Sequence, residues 1–119
     1  MTTIKTESID GLIAYKIILP KVITNEALIE WSNSFSQLLV TEAISNYCLL
    51  IDSNTHKFES LSTMKLLRDI LVSFADSAAK LKSVAFVYPH STGTKYIASS
   101  NEAYFNNCGE ALKWLLEIQ

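Results

Sequence analysis

The sequence predicts one α/β domain over residues 1–119, built on a mixed, mainly parallel five-stranded sheet with an N-terminal β-hairpin. Three observations carry that prediction. Asp10-Gly11 sits between two β-prone runs, the strongest short hairpin signal. Tyr47–Ile51 and Val84–Tyr88 are continuous apolar runs, as in parallel strands buried on both faces. Between these runs lie stretches whose apolar residues recur at helical spacing. Strands alternating with helices require right-handed crossovers within one sheet.

The elements follow in order. Ile4–Ile9 and Leu12–Leu19 form the hairpin, with Ile13, Tyr15, Ile17 and Leu19 sharing one face at period two. Pro20 ends the second strand because it has no amide to give to a ladder. Thr24 caps the first helix, and Ile23 can staple onto Leu28. Leu28, Trp31, Phe35, Leu38 and Leu39 form its buried stripe, and Glu42 marks its polar exit. The strand Tyr47–Ile51 ends at Asp52. A loop, Ser53–Glu59, leads to a second helix expected from about Ser62 to Leu81. Its stripe would be Met64, Leu67, Ile70, Leu71, Phe74, Ala78 and Leu81.

Pro89 stops the strand Val84–Tyr88, and His90–Ser100 is expected to hold a short helix capped at Ser91 or Thr92. Glu102–Phe105 is the last strand. Asn107 caps the final helix, with Glu110 at the capping-box position and Leu112, Leu115 and Leu116 facing inward. The predicted core is Ile17, Leu28, Trp31, Phe35, Leu50, Leu67, Phe74, Phe86 and Trp114. In open sheets of this kind, ligands and partners meet the loops beyond the carboxyl ends of the strands. Those loops contain Asp52–Ser62 and Tyr88–Thr94.

Composition narrows the function classes. Apolar residues make up 49% and charged residues 18%, which excludes a disordered chain. Ten Lys/Arg against twelve Asp/Glu give a net charge of −2, and Arg68 is the one arginine. The lysines are scattered, not gathered into the basic face that phosphate neutralisation demands, so nucleic acid is not an expected partner. The apolar runs are too short for a membrane span of about 20 residues, so no stable membrane insertion is expected. Residues 1–8 carry no apolar leader, and Cys48 and Cys108 show neither CxxC nor metal spacing. A reducing, cytoplasmic location is the default.

No catalytic or cofactor motif stands out. Asp52, His56, His90 and Ser62 offer the residue types of a hydrolase triad, but no Gly-x-Ser-x-Gly elbow accompanies them. Asp52, His56 and His90 lack the pairing of a metal site, and Gly93 has no companions to cradle a phosphate. The expectation is a protein that is not an enzyme, with no catalytic residues, no metal and no cofactor. Ser62 reads as a helix cap. Trp31, Trp114 and Cys48 read as core.

The C-terminal segment Phe105-x4-Glu110-Ala111-x2-Trp114-Leu115 resembles the ending of small, stand-alone bacterial members of the STAS (SpoIIAA-like) family. The preceding order of hairpin, helix, apolar strand ending in Asp, long helix and Val-Ala-Phe-Val strand is similar over nearly the whole chain. Related STAS proteins include anti-sigma-factor antagonists, which bind partner proteins and are switched by phosphorylation of a serine at the start of a long helix. Counted from Asp52, Phe58 falls on the antagonists' loop Phe, Ser60-Leu61-Ser62-Thr63 falls on their Asp-Ser-Ser-Gly, and Ser62 falls on the phosphoacceptor. Ser60 replaces the Asp, Leu61 the first Ser and Thr63 the Gly, so the motif is degenerate.

The resemblance implies a non-catalytic regulatory or protein-interaction module. Ser62 is its candidate phosphoacceptor, and Asp52, His56, Phe58, Ser60 and Thr63 are candidate partner contacts. The implied partner is another protein, of the kinase or anti-sigma-like regulator kind, and a homodimer is a further option. The alternative is a carrier of a small apolar, lipid-like ligand, because some family members resemble CRAL-TRIO-like folds.

Overall fold

A computed structural model describes residues 4–9, 13–52, 57–77, 79–88, 96–99 and 101–118. Eleven elements follow one another. They are β1 (Lys5–Ser8), β2 (Ala14–Ile18), β3 (Val22–Ile23), α1 (Asn25–Thr41), β4 (Asn46–Asp52), β5 (Lys57–Phe58), α2 (Leu61–Ala75), β6 (Lys80–Val87), β7 (Tyr96–Ser99), β8 (Glu102–Phe105) and α3 (Cys108–Ile118). The main sheet runs β1-β2-β4-β6-β8-β7. Its outermost pairs, β1–β2 and β7–β8, are antiparallel, and the inner pairs are parallel. The five predicted strands all lie in this sheet, in the expected mainly parallel order. The hairpin strands pair with Ser8 opposite Tyr15; the turn at Asp10-Gly11 lies outside the described residues.

The two faces of the sheet bury different side chains because strand residues alternate. Tyr15, Ile17 and Leu19 join Tyr47, Leu49 and Ile51 under α1 and α2. Ala14, Cys48, Leu50, Ala85, Val87, Ala103 and Phe105 lie under Ala111, Trp114 and Leu115 of α3. Small residues on that second face let a single helix settle close to the strands. An aromatic cluster fills the first face. Trp31 stacks on Phe35 with centroids 5.4 Å apart, and Tyr15 meets Phe35 edge-on at 5.2 Å. Such pairs add about 0.5–1.5 kcal/mol beyond their buried area.

The helix ends explain the element boundaries. Thr24 Oγ1 accepts from the Ala27 amide at 3.1 Å, as expected for the α1 cap. Asn107 Oδ1 accepts from the Glu110 amide at 2.8 Å and caps α3. At the other end of α1, Ala43 adopts a left-handed φ of 54°, and the Ile44 amide reaches back to the Leu39 carbonyl at 3.0 Å. That is the turn geometry that usually takes glycine.

Several expectations need correction. The second helix starts at Leu61 with Ser60 as its cap, and ends at Ala75 with Asp76 as C-cap, not at Leu81. Leu81 belongs instead to β6, which is recruited along the full length of β4; Lys80 N–H donates to the Ser45 carbonyl at 2.8 Å. Sheet pairing overrides the helical spacing of Leu81, and Ala78 lies outside the described residues. No short helix occupies the end of the 90–100 stretch, where Tyr96–Ser99 forms β7 as a sixth strand against β8. The β-prone Tyr-Ile-Ala-Ser sequence finds an open ladder there. The caps proposed at Ser91 and Thr92 lie outside the described residues. Ile13, Met64 and Leu116 are exposed, and Phe86 is half-buried.

Candidate binding groove

The corner around Ser62 divides between two faces of the sheet. Ser60 Oγ accepts from the Thr63 amide at 3.2 Å and lies 3.1 Å from Thr63 Oγ1. Thr63 is 0% exposed, so it secures the first turn of α2 and offers no partner contact; this corrects its assignment as a contact residue. Ser62 is exposed one residue into the helix and is not the cap. Phe58 is half-buried in β5, opposite Ile23 of β3. Asp52 follows Cys48 and Leu50 on the face under α3, where it pairs with Lys16 at 3.7 Å. The structure therefore brings Phe58, Ser60 and Ser62 together and puts Asp52 on the opposite face. His56, Ser53 and His90 lie outside the described residues.

Beside this corner, α2 and the outer strands leave a groove of about 500 Å³. The reason is local geometry. Helix α2 packs on β6 near Leu67, Ile70 and Phe74, whose side chains are buried. Its neighbouring stripe, Leu61, Met64, Arg68, Val72 and Ala75, recurs at three- and four-residue spacing and looks over β6 toward β8. Leu61 is 83% exposed, Met64 50% and Val72 57%. Among the described residues no helix covers β8 on this side.

The floor is aromatic. Phe86 of β6 lies in register with Tyr104 of β8, and their rings stack at 5.0 Å and 13°. Tyr88 extends the ladder, with its ring 6.4 Å from Phe86 and 6.2 Å from Tyr104. The Tyr104 hydroxyl donates to Glu102 Oε2 at 2.8 Å. Burial, that hydrogen bond and the Glu102 charge push the Tyr104 phenol up to about 12, while Arg68 pulls weakly the other way. Burial and then the Glu102 charge also raise the Tyr88 phenol. Both rings therefore keep their protons and act as neutral donors.

On the opposite face, burial followed by the Asp52 charge raises the Cys108 thiol, and Lys16 offsets part of this. Among the described residues no group of three or more His, Cys, Asp or Glu could hold a metal ion. No described helix is long and apolar enough to cross a membrane.

Sequence reasoning missed the groove. The signals were present as period-two Val84, Phe86 and Tyr88 facing Tyr104, and as apolar residues on α2 beyond its buried stripe. Phe86, Met64 and Leu71 were read as core, Tyr88 as a buried ring with a wet hydroxyl, and Tyr104 was not singled out.

No protein-family model matches the sequence, and no curated protein matches it. Among solved structures, the fold is similar to that of an uncharacterized protein of the DUF3478 family from Shewanella loihica PV-4, described as having a SpoIIAA-like fold. The two superpose with a TM-score of 0.67 at 15% identity, over 95% of this chain and 92% of that one. On that superposition the chain has the SpoIIAA-like fold that its sequence resembles.

Proposed function

We propose that the chain is a non-catalytic binding module, and that its working surface is the groove between α2 and the β6–β8 half of the sheet. The observation that carries this reading is the groove itself. Its volume falls within the roughly 300–1,000 Å³ of small-molecule sites. Its walls are mostly hydrocarbon and aromatic, with a few polar groups at the rim. Such a lining binds by desolvation, at about 25 cal/mol per Å² of apolar surface covered.

The regulatory reading finds its support at the groove's mouth. Leu61 and Ser62 lie side by side on the first turn of α2, both exposed. A phosphate on Ser62 would place roughly −1.5 to −2 charges beside an apolar contact. A partner protein resting on Leu61 would be displaced, and the free amides at the helix start would accept the charge.

Fluorescence titration with the neutral dye Nile red tests the binding surface. Saturable enhancement is expected for the wild-type chain and its loss for Ala75→Trp, which puts a large ring into the groove from an exposed position. Enhancement that is absent, or unaffected by the substitution, removes the groove as the working surface.

A further inference from the structure

We infer that the groove takes a small amphipathic anion: a single apolar tail on the Phe86–Tyr104 floor, with a carboxylate held by Arg68. The inference rests on the binding reading above and specifies its ligand.

Charge is the first argument. The chain as a whole carries −2. The groove inverts that sign, since Lys65, Arg68 and Lys82 line it against the single carboxylate of Glu102. The inversion is local and arises from the fold. Lys65 and Arg68 are three residues apart on α2 and so share the helix face that looks over the strands. Lys82 sits where the β4–β6 register slips, with Tyr47 opposite Leu81 and Cys48 opposite Ser83, and this extra residue is left without a partner in β4.

Availability is the second argument. Among the described residues the ion pair is Lys16–Asp52, on the other face. Neither Lys65, Arg68 nor Lys82 has a carboxylate within salt-bridge distance there. The carboxylate that lines the groove, Glu102, accepts from the Tyr104 hydroxyl at 2.8 Å. Arg68 nevertheless acts across the groove, since its charge is felt at the Tyr104 phenol. A planar guanidinium with free donors beside an apolar floor matches a carboxylate better than an ammonium would.

Shape is the third. The floor is a ladder of rings whose faces stack on one another, leaving edges and apolar flanks toward the groove. Flexible aliphatic chains fit such a surface. Leu71 and Val84 continue it past the rings.

The test is calorimetric titration with octanoate, decanoate and dodecanoate below their micellar concentrations, and with decanol as the neutral control. Affinity should tighten about four-fold for each methylene buried, the equivalent of about 0.8 kcal/mol. Decanoate should bind more tightly than decanol. Arg68→Gln should weaken decanoate roughly five-fold and leave decanol unchanged, with the difference shrinking in high salt. Arg68 is exposed, so the variant keeps the fold, which circular dichroism checks. Equal binding of decanoate and decanol, untouched by Arg68→Gln, overturns the anion while leaving the groove a binding surface. Binding that persists in Ala75→Trp, or no binding of either probe, overturns the groove as well. Association with phosphatidylglycerol vesicles but with no monomeric carboxylate overturns the inference in favour of a membrane surface.

Discussion

Ser60 and Thr63 close the first turn of α2 on each other. The Ser60 hydroxyl accepts from the Thr63 amide at 3.2 Å and lies 3.1 Å from the Thr63 hydroxyl, which is wholly buried. The serine that caps this helix is therefore the one two residues before the candidate phosphoacceptor. Ser60→Ala should lower unfolding stability by about 0.5–2 kcal/mol, as for other N-caps. Ser62→Ala should stay within about 0.5 kcal/mol, as an exposed substitution with no packed contact. Urea denaturation of the two variants separates them, and a larger loss at Ser62 would return the cap to that position.

Ala43 holds a left-handed φ of 54° at the exit of α1, where the Ile44 amide bonds to the Leu39 carbonyl. A Cβ in that region costs roughly 1–2 kcal/mol, because it crowds the following carbonyl. Glycine removes the crowding but adds freedom to the unfolded chain worth about 0.4–1 kcal/mol. Ala43→Gly should therefore stabilise the protein by about 0.5–1 kcal/mol, the difference of those two effects. A lower thermal midpoint for the variant would show that the turn carries no strain.

Four tyrosines bear on alkaline stability. Burial raises the phenols of Tyr15, Tyr47, Tyr88 and Tyr104 above the ordinary 10.0, Tyr104 to about 12. Above pH 10 the unfolded chain sheds these protons first, while the folded chain keeps them. The unfolded state then binds fewer protons, so stability falls as pH rises. The contribution is complete below pH 10 and, for Tyr104, is lost between 10 and about 12. Denaturation midpoints measured at stepped alkaline pH should decline through that window, and Tyr104→Phe should make the decline shallower. A flat profile would mean that the phenols ionise equally in both states.

Legibility in the sequence followed the range of the interactions. The caps at Thr24 and Asn107 were readable because each is a contact within one turn. The central strands were readable because β4 is buried on both faces, which forces a run such as Tyr47–Ile51 to be apolar throughout. Leu81 was misplaced because its helical spacing is real, and only the ladder to β4 decides against it. The cap was placed two residues late, at Ser62, since Ser60 and Ser62 are equally good caps in isolation. The groove was invisible for a deeper reason. Phe86 and Tyr104 are far apart in sequence and become a floor through strand pairing, and among the described residues no helix lies over it, since Tyr96–Ser99 pairs with β8. Asp52 was grouped with Ser62 by proximity in the chain, whereas alternation along β4 sends its side chain to the other face.

That last separation can be measured through Cys108. The thiol opens α3 beside Asp52, whose carboxylate accepts its hydrogen bond and disfavours the thiolate, second only to burial; Lys16 pulls in the opposite sense. Asp52→Asn removes the negative charge and leaves Lys16 without its partner at 3.7 Å, so both changes favour the thiolate. Because the thiolate is the nucleophile, alkylation of Cys108 by iodoacetamide near neutral pH should speed up by a few-fold. Cys48 is buried in the core and should react slowly in both proteins, which gives an internal control. The Lys16–Asp52 pair is partly exposed, so its loss should cost no more than about 1 kcal/mol of stability. Mass-spectrometric labelling rates and a denaturation curve on the same sample keep the two effects apart. A Cys108 rate unchanged in a folded Asp52→Asn protein would mean that the carboxylate does not reach the sulfur. Dye binding in the groove should be the same in both proteins, since Asp52 and the Phe86–Tyr104 floor lie on opposite faces of the sheet. Weakened dye binding in the variant would contradict that placement.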